Sequence, residues 1–218
     1  MKSKYYNRSK PQRLGIAKNF FTIAEEDLSI KEILAKKSFT TDKIESGKLY
    51  YTEANKTLNE LEETITAKKG LSAQFREEFD FLSKDFSILF NYSCLLFENN
   101  KEISYLLGLN VSKENTIAYV FNSLNQFFAN VFNSEIALEQ LKKYDYSAET
   151  LHQFDENYKK VYKLYLTFKN EEEEVSKKTV INNEKMALLD DFMIELISTA
   201  EIIQKTVPNF LRKIGIIL

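Results

Sequence analysis

Proline occurs twice and glycine five times in 218 residues, with one cysteine, one histidine and no tryptophan. Each scarcity excludes something. Sheet folds need frequent turns, and so few turn-forming residues argue against all-β and α/β architectures. A single cysteine, Cys94, cannot close an internal disulfide, so a reducing and hence cytoplasmic setting is expected. A single histidine, His152, cannot supply the two Glu-x-x-His motifs of a di-iron bundle. One Cys and one His also fall short of the usual zinc ligand sets. No glycine-rich phosphate loop is present, so no cofactor and no metal is expected. No stretch approaches the ~20 uncharged apolar residues of a membrane span; the richest run, "FSILFNYSCLLF", is bounded by Asp85 and Glu98. The opening "MKSKYYNRSKPQRLG" lacks the apolar core of a secretory signal. A formal net charge of −2 gives no global pull toward nucleic acid or anionic membrane.

What is abundant is helix-forming material: 44% hydrophobic and 28% charged residues. Residues 1–13 carry Lys2, Lys4, Arg8, Lys10 and Arg13 without an acid and are expected to be a flexible basic tail. Helical patterning begins at Leu14, with a first helix near 14–27 and a brief one at "IKEILAKK". Thr40 or Thr41 then offers an N-cap, with Asp42 and Glu45 in the first turn. Ile44, Gly47, Tyr51, Ala54, Leu58, Leu61 and Ile65 fall alternately three and four apart, the seam that one helix buries against a near-parallel neighbour. Gly70 predicts the end of that helix. A third helix near 71–99 carries Phe79, Leu82, Phe86, Leu89, Ser93 and Leu96 at the same alternation, and "KEISYLLGL" closes at Gly108.

The pattern then returns 107 residues later without a gap. Ile44 through Leu61 map onto Leu151, Phe154, Tyr158, Val161, Tyr165 and Phe168. Phe79 through Leu96 map onto Met186, Leu189, Met193, Leu196, Ala200 and Ile203, while Phe20-Phe21 maps onto Phe127-Phe128 and Gly108 onto Gly215. Two seams, a double Phe, a cap and a closing Gly in one register predict an all-α tandem duplication. Each half is an up-and-down bundle of three long and two short helices, with halves at 14–110 and 111–218 packed as one elongated body. Further long helices are expected near 116–133, 151–176 and 183–206.

The segment "NNEKMALLDDFMIELISTAEIIQKTVPNFLRKIGI" resembles the C-terminal signature of a group of uncharacterised bacterial helical proteins. That signature runs from a charged helix to an aromatic or Met before an acidic–Phe pair, then through a Pro-x-hydrophobic-Leu turn into Leu-Gly-Ile. "LKKYDYSAETL" is similar to the same group's linker, which more often has Gly where Asp145 stands. The likeness spans about residues 138–216. It implies the helical fold and no activity.

His152 lies beside the seam residue Leu151 and reads as a surface residue. Cys94 sits among Leu95 and Leu96 and reads as inert packing. The acidic run Glu171–Glu174 points in four directions around a helix and cannot converge on one ion. Helix 71–99 is apolar nearly all round, which predicts burial on every side or an intersubunit face. Phe79, Phe86, Leu89, Phe90 and Phe97 are therefore the candidate core or interface residues. The expected role is that of a non-enzymatic structural or protein-interaction bundle, a homo-oligomer or the binder of another protein. The alternative is a small-molecule or lipid binder with an aromatic-lined cavity between the two halves.

Overall fold

The computed structural model describes residues 2–110, 114 and 116–217, and among them every regular element is a helix. Helix α1 is Lys2–Tyr6, α2 Lys10–Glu26, α3 Leu28–Ala35, α4 Thr41–Leu96 and α5 Lys101–Leu106. They are followed by α6 Ile117–Val131, α7 Glu135–Lys142, α8 Ala148–Ile203 and α9 Phe210–Lys213. The long helices α4 and α8 pack against each other.

The two long helices expected on either side of Gly70 are one uninterrupted helix of 56 residues, and α8 likewise joins the two expected at 151–176 and 183–206. Gly70 does not stop α4 because nothing makes it leave the helical conformation. Gly108 and Gly215 take φ of +73° and +75°, where a side chain would be strained, whereas Gly70 is not among the positive-φ residues. Between good helix formers (Ala67, Lys68, Lys69 and Leu71) a helical Gly costs only about 1 kcal/mol.

The chain forms two compact units. The first gathers the chain up to Thr66 and from Glu173 onward; the second is Ala67–Glu172. These limits do not follow the expected halves at 14–110 and 111–218, whose junction borders residue 111, outside the described set. In the first unit Phe20, Leu34, Phe39 and Ala54 bury against Leu189, Met193, Leu196 and Phe210. In the second, Leu82, Phe86, Leu89 and Phe97 bury against Leu124, Phe127, Leu151 and Val161. Each unit thus joins the front of one half to the back of the other.

Local geometry recurs at the 107-residue offset. Helices α3 and α7, and α4 and α8, begin and end at equivalent residues. Ser38 and Asp145 both have positive φ, at 69° and 66°. The Phe39 N–H donates to the Leu34 carbonyl at 3.1 Å, and the equivalent Tyr146 N–H to the Leu141 carbonyl at 3.2 Å. At the two closing glycines, Leu109 N–H donates to Ser104 O at 2.8 Å and Ile216 N–H to Leu211 O at 2.9 Å. Such six-to-one bonds satisfy carbonyls left over at a helix end. The Thr40 and Ser147 hydroxyls accept from the backbone N–H of Lys43 and Thr150 at 3.4 and 3.2 Å.

Among equivalent seam positions Gly47 and Phe154 differ most in size, and the space at Gly47 is filled from the facing helix. Gly47 leaves room that the Phe192 ring of α8 fills, so closely that a Cβ at Gly47 would lie 2.4 Å from the ring. Phe192 packs on Phe20, Phe21 and Phe39, with Phe21 at 5.7 Å. In the second unit the equivalent of Gly47 is Phe154, which packs on Phe128 at 5.5 Å. Phe192 has its own equivalent in the small, exposed Asp85. The ring that covers the second Phe of each pair comes from α8 in both units, from its later part in the first unit and from its start in the second.

Within the basic segment expected to be a flexible tail, Lys2–Tyr6 form α1, α2 begins at Lys10, and several side chains are anchored. Tyr5 is fully buried, and its hydroxyl donates to Asp190 Oδ1 at 3.0 Å; the Arg13 guanidinium pairs with the other oxygen. Lys10 donates to the side-chain carbonyls of Asn182 and Asn183, each at 2.6 Å. Asn182 in turn donates to the Ala54 carbonyl and the Thr57 hydroxyl. Locally, Pro11 suits the first turn of α2, and the Gln12 side chain accepts from the Ser9 N–H at 3.0 Å. Burial raises the Asp190 carboxyl above its ordinary range against the pull of Arg13, and raises the Tyr5 phenol further still. Tyr5→Phe should cost about 1.5–3 kcal/mol, because it removes a hydrogen bond to a buried carboxylate. Urea unfolding measures this, and a change below about 0.5 kcal/mol would mean that α1 is held by packing alone.

Candidate functional site

The part of α4 after Phe75 carries two apolar seams. The inner one holds the residues picked out from the sequence. Phe86, Leu89, Phe90 and Phe97 are buried, and Phe79 packs partly buried between Phe75 and Phe121, each 5.5 Å away. Phe86, Leu89, Phe90 and Phe97 are core residues of the second unit, and Phe79 packs against that core.

The outer seam is Phe81, Ile88, Tyr92 and Leu95, spaced seven, four and three apart, with exposures of 60%, 51%, 42% and 73%. At 100° per residue these four side chains leave α4 on one line. An all-round apolar helix suggested burial on all sides, but the bundle has partners for only one of the two seams. The signal for the second seam was its own 7-4-3 spacing. The equivalent line on α8 is broken, because Leu188 and Ile202 remain exposed there but Glu195 and Thr199 stand between them.

Tyr92 extends the outer seam sideways. Its ring meets Tyr144 at 5.6 Å and Tyr146 at 6.4 Å. Beside it, Asp85, Ile88, Tyr146, Thr150 and Phe154 line an open cleft of about 370 Å³. Burial raises the Tyr146 phenol above its ordinary value, with Tyr92 and Asp85 adding to the shift. A neutral phenol there is a donor and acceptor at neutral pH, set within an otherwise apolar surface.

The face ends in acids. Glu77 lies one turn before Phe81, Glu98 one turn after Leu95, and Asp80 and Asp85 flank the line; Glu77, Asp80, Asp85 and Glu98 are all exposed. Among the described residues none of these four is in an ion pair, whereas Glu78, turned toward α8, pairs with Lys160 at 3.5 Å. The only cation on the line is Lys84, whose ammonium sits over the Phe81 ring at 5.8 Å.

Elsewhere the chemistry is sparse. Among the described residues no group of three or more His, Cys, Asp or Glu side chains is placed to hold a metal. His152 is exposed and stacks on Phe132 with ring centres 4.0 Å apart. Cys94 is half-buried, its thiol donating to the Leu109 carbonyl at 3.8 Å. In the acidic run, Glu172 pairs with Lys68 and Lys169, and Glu174 with Lys177. Among the described residues no helix is long and apolar enough to cross a membrane. A polar cleft of about 330 Å³ between α2 and α4 is lined by Lys18, Tyr51, Asn55, Asn59 and Glu62.

No protein-family model matches the chain, and no curated protein or solved structure is significantly similar to it.

Proposed function

We propose that this chain is a non-enzymatic interaction protein, built by internal duplication and working in the cytoplasm. In this reading the exposed outer seam of α4 is its contact face. The observation that carries it is the line Phe81, Ile88, Tyr92 and Leu95, solvent-facing at helical spacing on a helix whose opposite seam is already buried. Four large apolar side chains exposed on one helix face mark a contact site more often than scattered surface residues do. The duplication draws support from the shared positive φ at Ser38 and Asp145 and from the matched terminal hydrogen bonds at Gly108 and Gly215. Membership in the bacterial helical group that the C-terminal segment resembles belongs to the same reading.

The test is site-specific photocrosslinking of the full chain in the cells that make it. A photoreactive residue at Ile88 or Leu95 should give protein adducts, and one at exposed Arg76, on another face of α4, should not. Equal labelling at all three sites, or no protein adduct at Ile88 and Leu95, overturns the reading. The alternative, a small-molecule or lipid ligand, draws support from the cleft beside Ile88, whose volume of about 370 Å³ is within the range of ligand pockets. Native mass spectrometry that retained a stoichiometric small ligand would favour it.

A further inference from the structure

Building on that reading, we infer that the outer seam of α4 takes a basic amphipathic helix from another protein, and not a second copy of this chain. The apolar line sets the shape of the occupant. Phe81 to Leu95 spans about 21 Å at 1.5 Å per residue, four turns of helix, and its 7-4-3 spacing matches the stripe an α-helix offers a near-parallel partner. Tyr92, flanked by Tyr144 and Tyr146, gives the middle of the face a rigid aromatic anchor of the kind enriched at interface centres.

Charge sets the chemistry of the occupant. On α4 the face carries Glu77, Asp80, Asp85 and Glu98 against Lys84, and among the described residues those four carboxylates have no internal ion pair. Self-pairing brings acid to acid in either direction. An antiparallel copy centred on Ile88 sets Phe81 opposite Leu95 and therefore Glu77 close to Glu98 of its mate. A parallel copy sets Glu77 beside Glu77 and Asp85 beside Asp85. Like charges at close quarters select against a partner. A helix with Lys or Arg one turn beyond each end of its apolar stripe answers Glu77 and Glu98, and cations beside the stripe answer Asp80 and Asp85. Self-association would have needed cations at one end of the face, and α4 has none there.

The test uses the purified full chain with two synthetic helical peptides. They share an apolar stripe at 7-4-3 spacing and differ only in having Lys or Glu at the flanking positions. The Lys peptide should bind about tenfold tighter or better than the Glu peptide, a gap that narrows as salt is raised. Ile88→Asp, a change at an exposed site, should abolish binding while leaving the helical circular dichroism intact. The quadruple variant Glu77→Lys, Asp80→Lys, Asp85→Lys, Glu98→Lys should reverse the preference. Equal binding of the two peptides, binding of neither, or no reversal in the quadruple variant overturns the inference. So does sedimentation showing a dimer of the unmodified chain that Ile88→Asp dissociates, because a second copy then covers the seam. In that last case the contact-face reading survives, whereas absence of crosslinks at Ile88 and Leu95 removes both.

Discussion

Phe86→Ala should destabilise the chain by about 3–5 kcal/mol, the usual cost of deleting a buried aromatic ring and leaving a cavity. Phe86 is 1% exposed, lies 5.3 Å from Phe90, and shares its core with Leu82, Leu89 and Phe97. Phe81, five residues earlier on the same helix, is the internal control. It is 60% exposed, so Phe81→Ala should change stability by less than about 0.5 kcal/mol. Equilibrium urea unfolding of the two variants separates the seams of α4 directly. Equal losses would mean that the outer seam is buried in solution, and a small loss at Phe86 would mean that the inner seam is not the core.

The second large effect lies at Gly47. A Phe there would meet the Phe192 ring, which is itself held by Phe20, Phe21 and Phe39. Gly47→Phe alone should cost about 3 kcal/mol or more, at the upper end of overpacking. Phe192→Ala alone should cost about 3–5 kcal/mol as a cavity. Together they should cost less than their sum by about 1–3 kcal/mol, because the new ring fills the space the old one vacates. The second unit already has this arrangement, with Phe154 on Phe128 and the small Asp85 where the ring of Phe192 would otherwise be. Additive losses in the double variant, read from denaturation midpoints, would show that the two positions do not share one space.

The all-helical class and both seams were legible in the residues because they are local and periodic. Ala54, Leu58 and Leu61 on α4, and Leu189, Met193 and Leu196 on α8, are buried where their spacing puts them. The seam drifts at Thr64, which is buried while Ile65 is half-exposed, and again at Phe97, which is buried while Leu96 is half-exposed. That drift is expected where a strict heptad runs along a helix of 3.6 residues per turn. What was not legible depended on partners far away in the chain. The anchoring of Tyr5 needs Asp190, and the tolerance of Gly47 needs Phe192; neither link leaves a trace in local composition. A seam Gly such as Gly47 allows two helix backbones to approach closely, but here a ring from the facing helix fills the space. Gly70 misled because a helix-ending Gly and a tolerated one look alike until the following residues show whether the chain turns. The candidate site was half legible: the apolar residues all round helix 71–99 singled out the helix that carries an exposed seam, but Phe79, Phe86, Leu89, Phe90 and Phe97 mark its inner seam and not that exposed one.

The division of the chain between its two units also sets an order of assembly during synthesis. Ala67–Glu172 is one continuous stretch, so the core around Phe86, Phe127 and Leu151 is complete as soon as that stretch has emerged from the ribosome. The other unit cannot close at that time. Phe20, Leu34 and Phe39 leave the ribosome early but must wait for Leu189, Met193 and Phe210, which follow only after the whole of the continuous unit. During that interval the segment up to Thr66 holds an unfinished apolar face. Contacts so far apart in sequence close slowly, and exposed apolar surface is where nascent chains meet chaperones or aggregate. The earlier-made segment is thus the later to mature, and the vulnerable stage is the wait for the residues that follow Glu172.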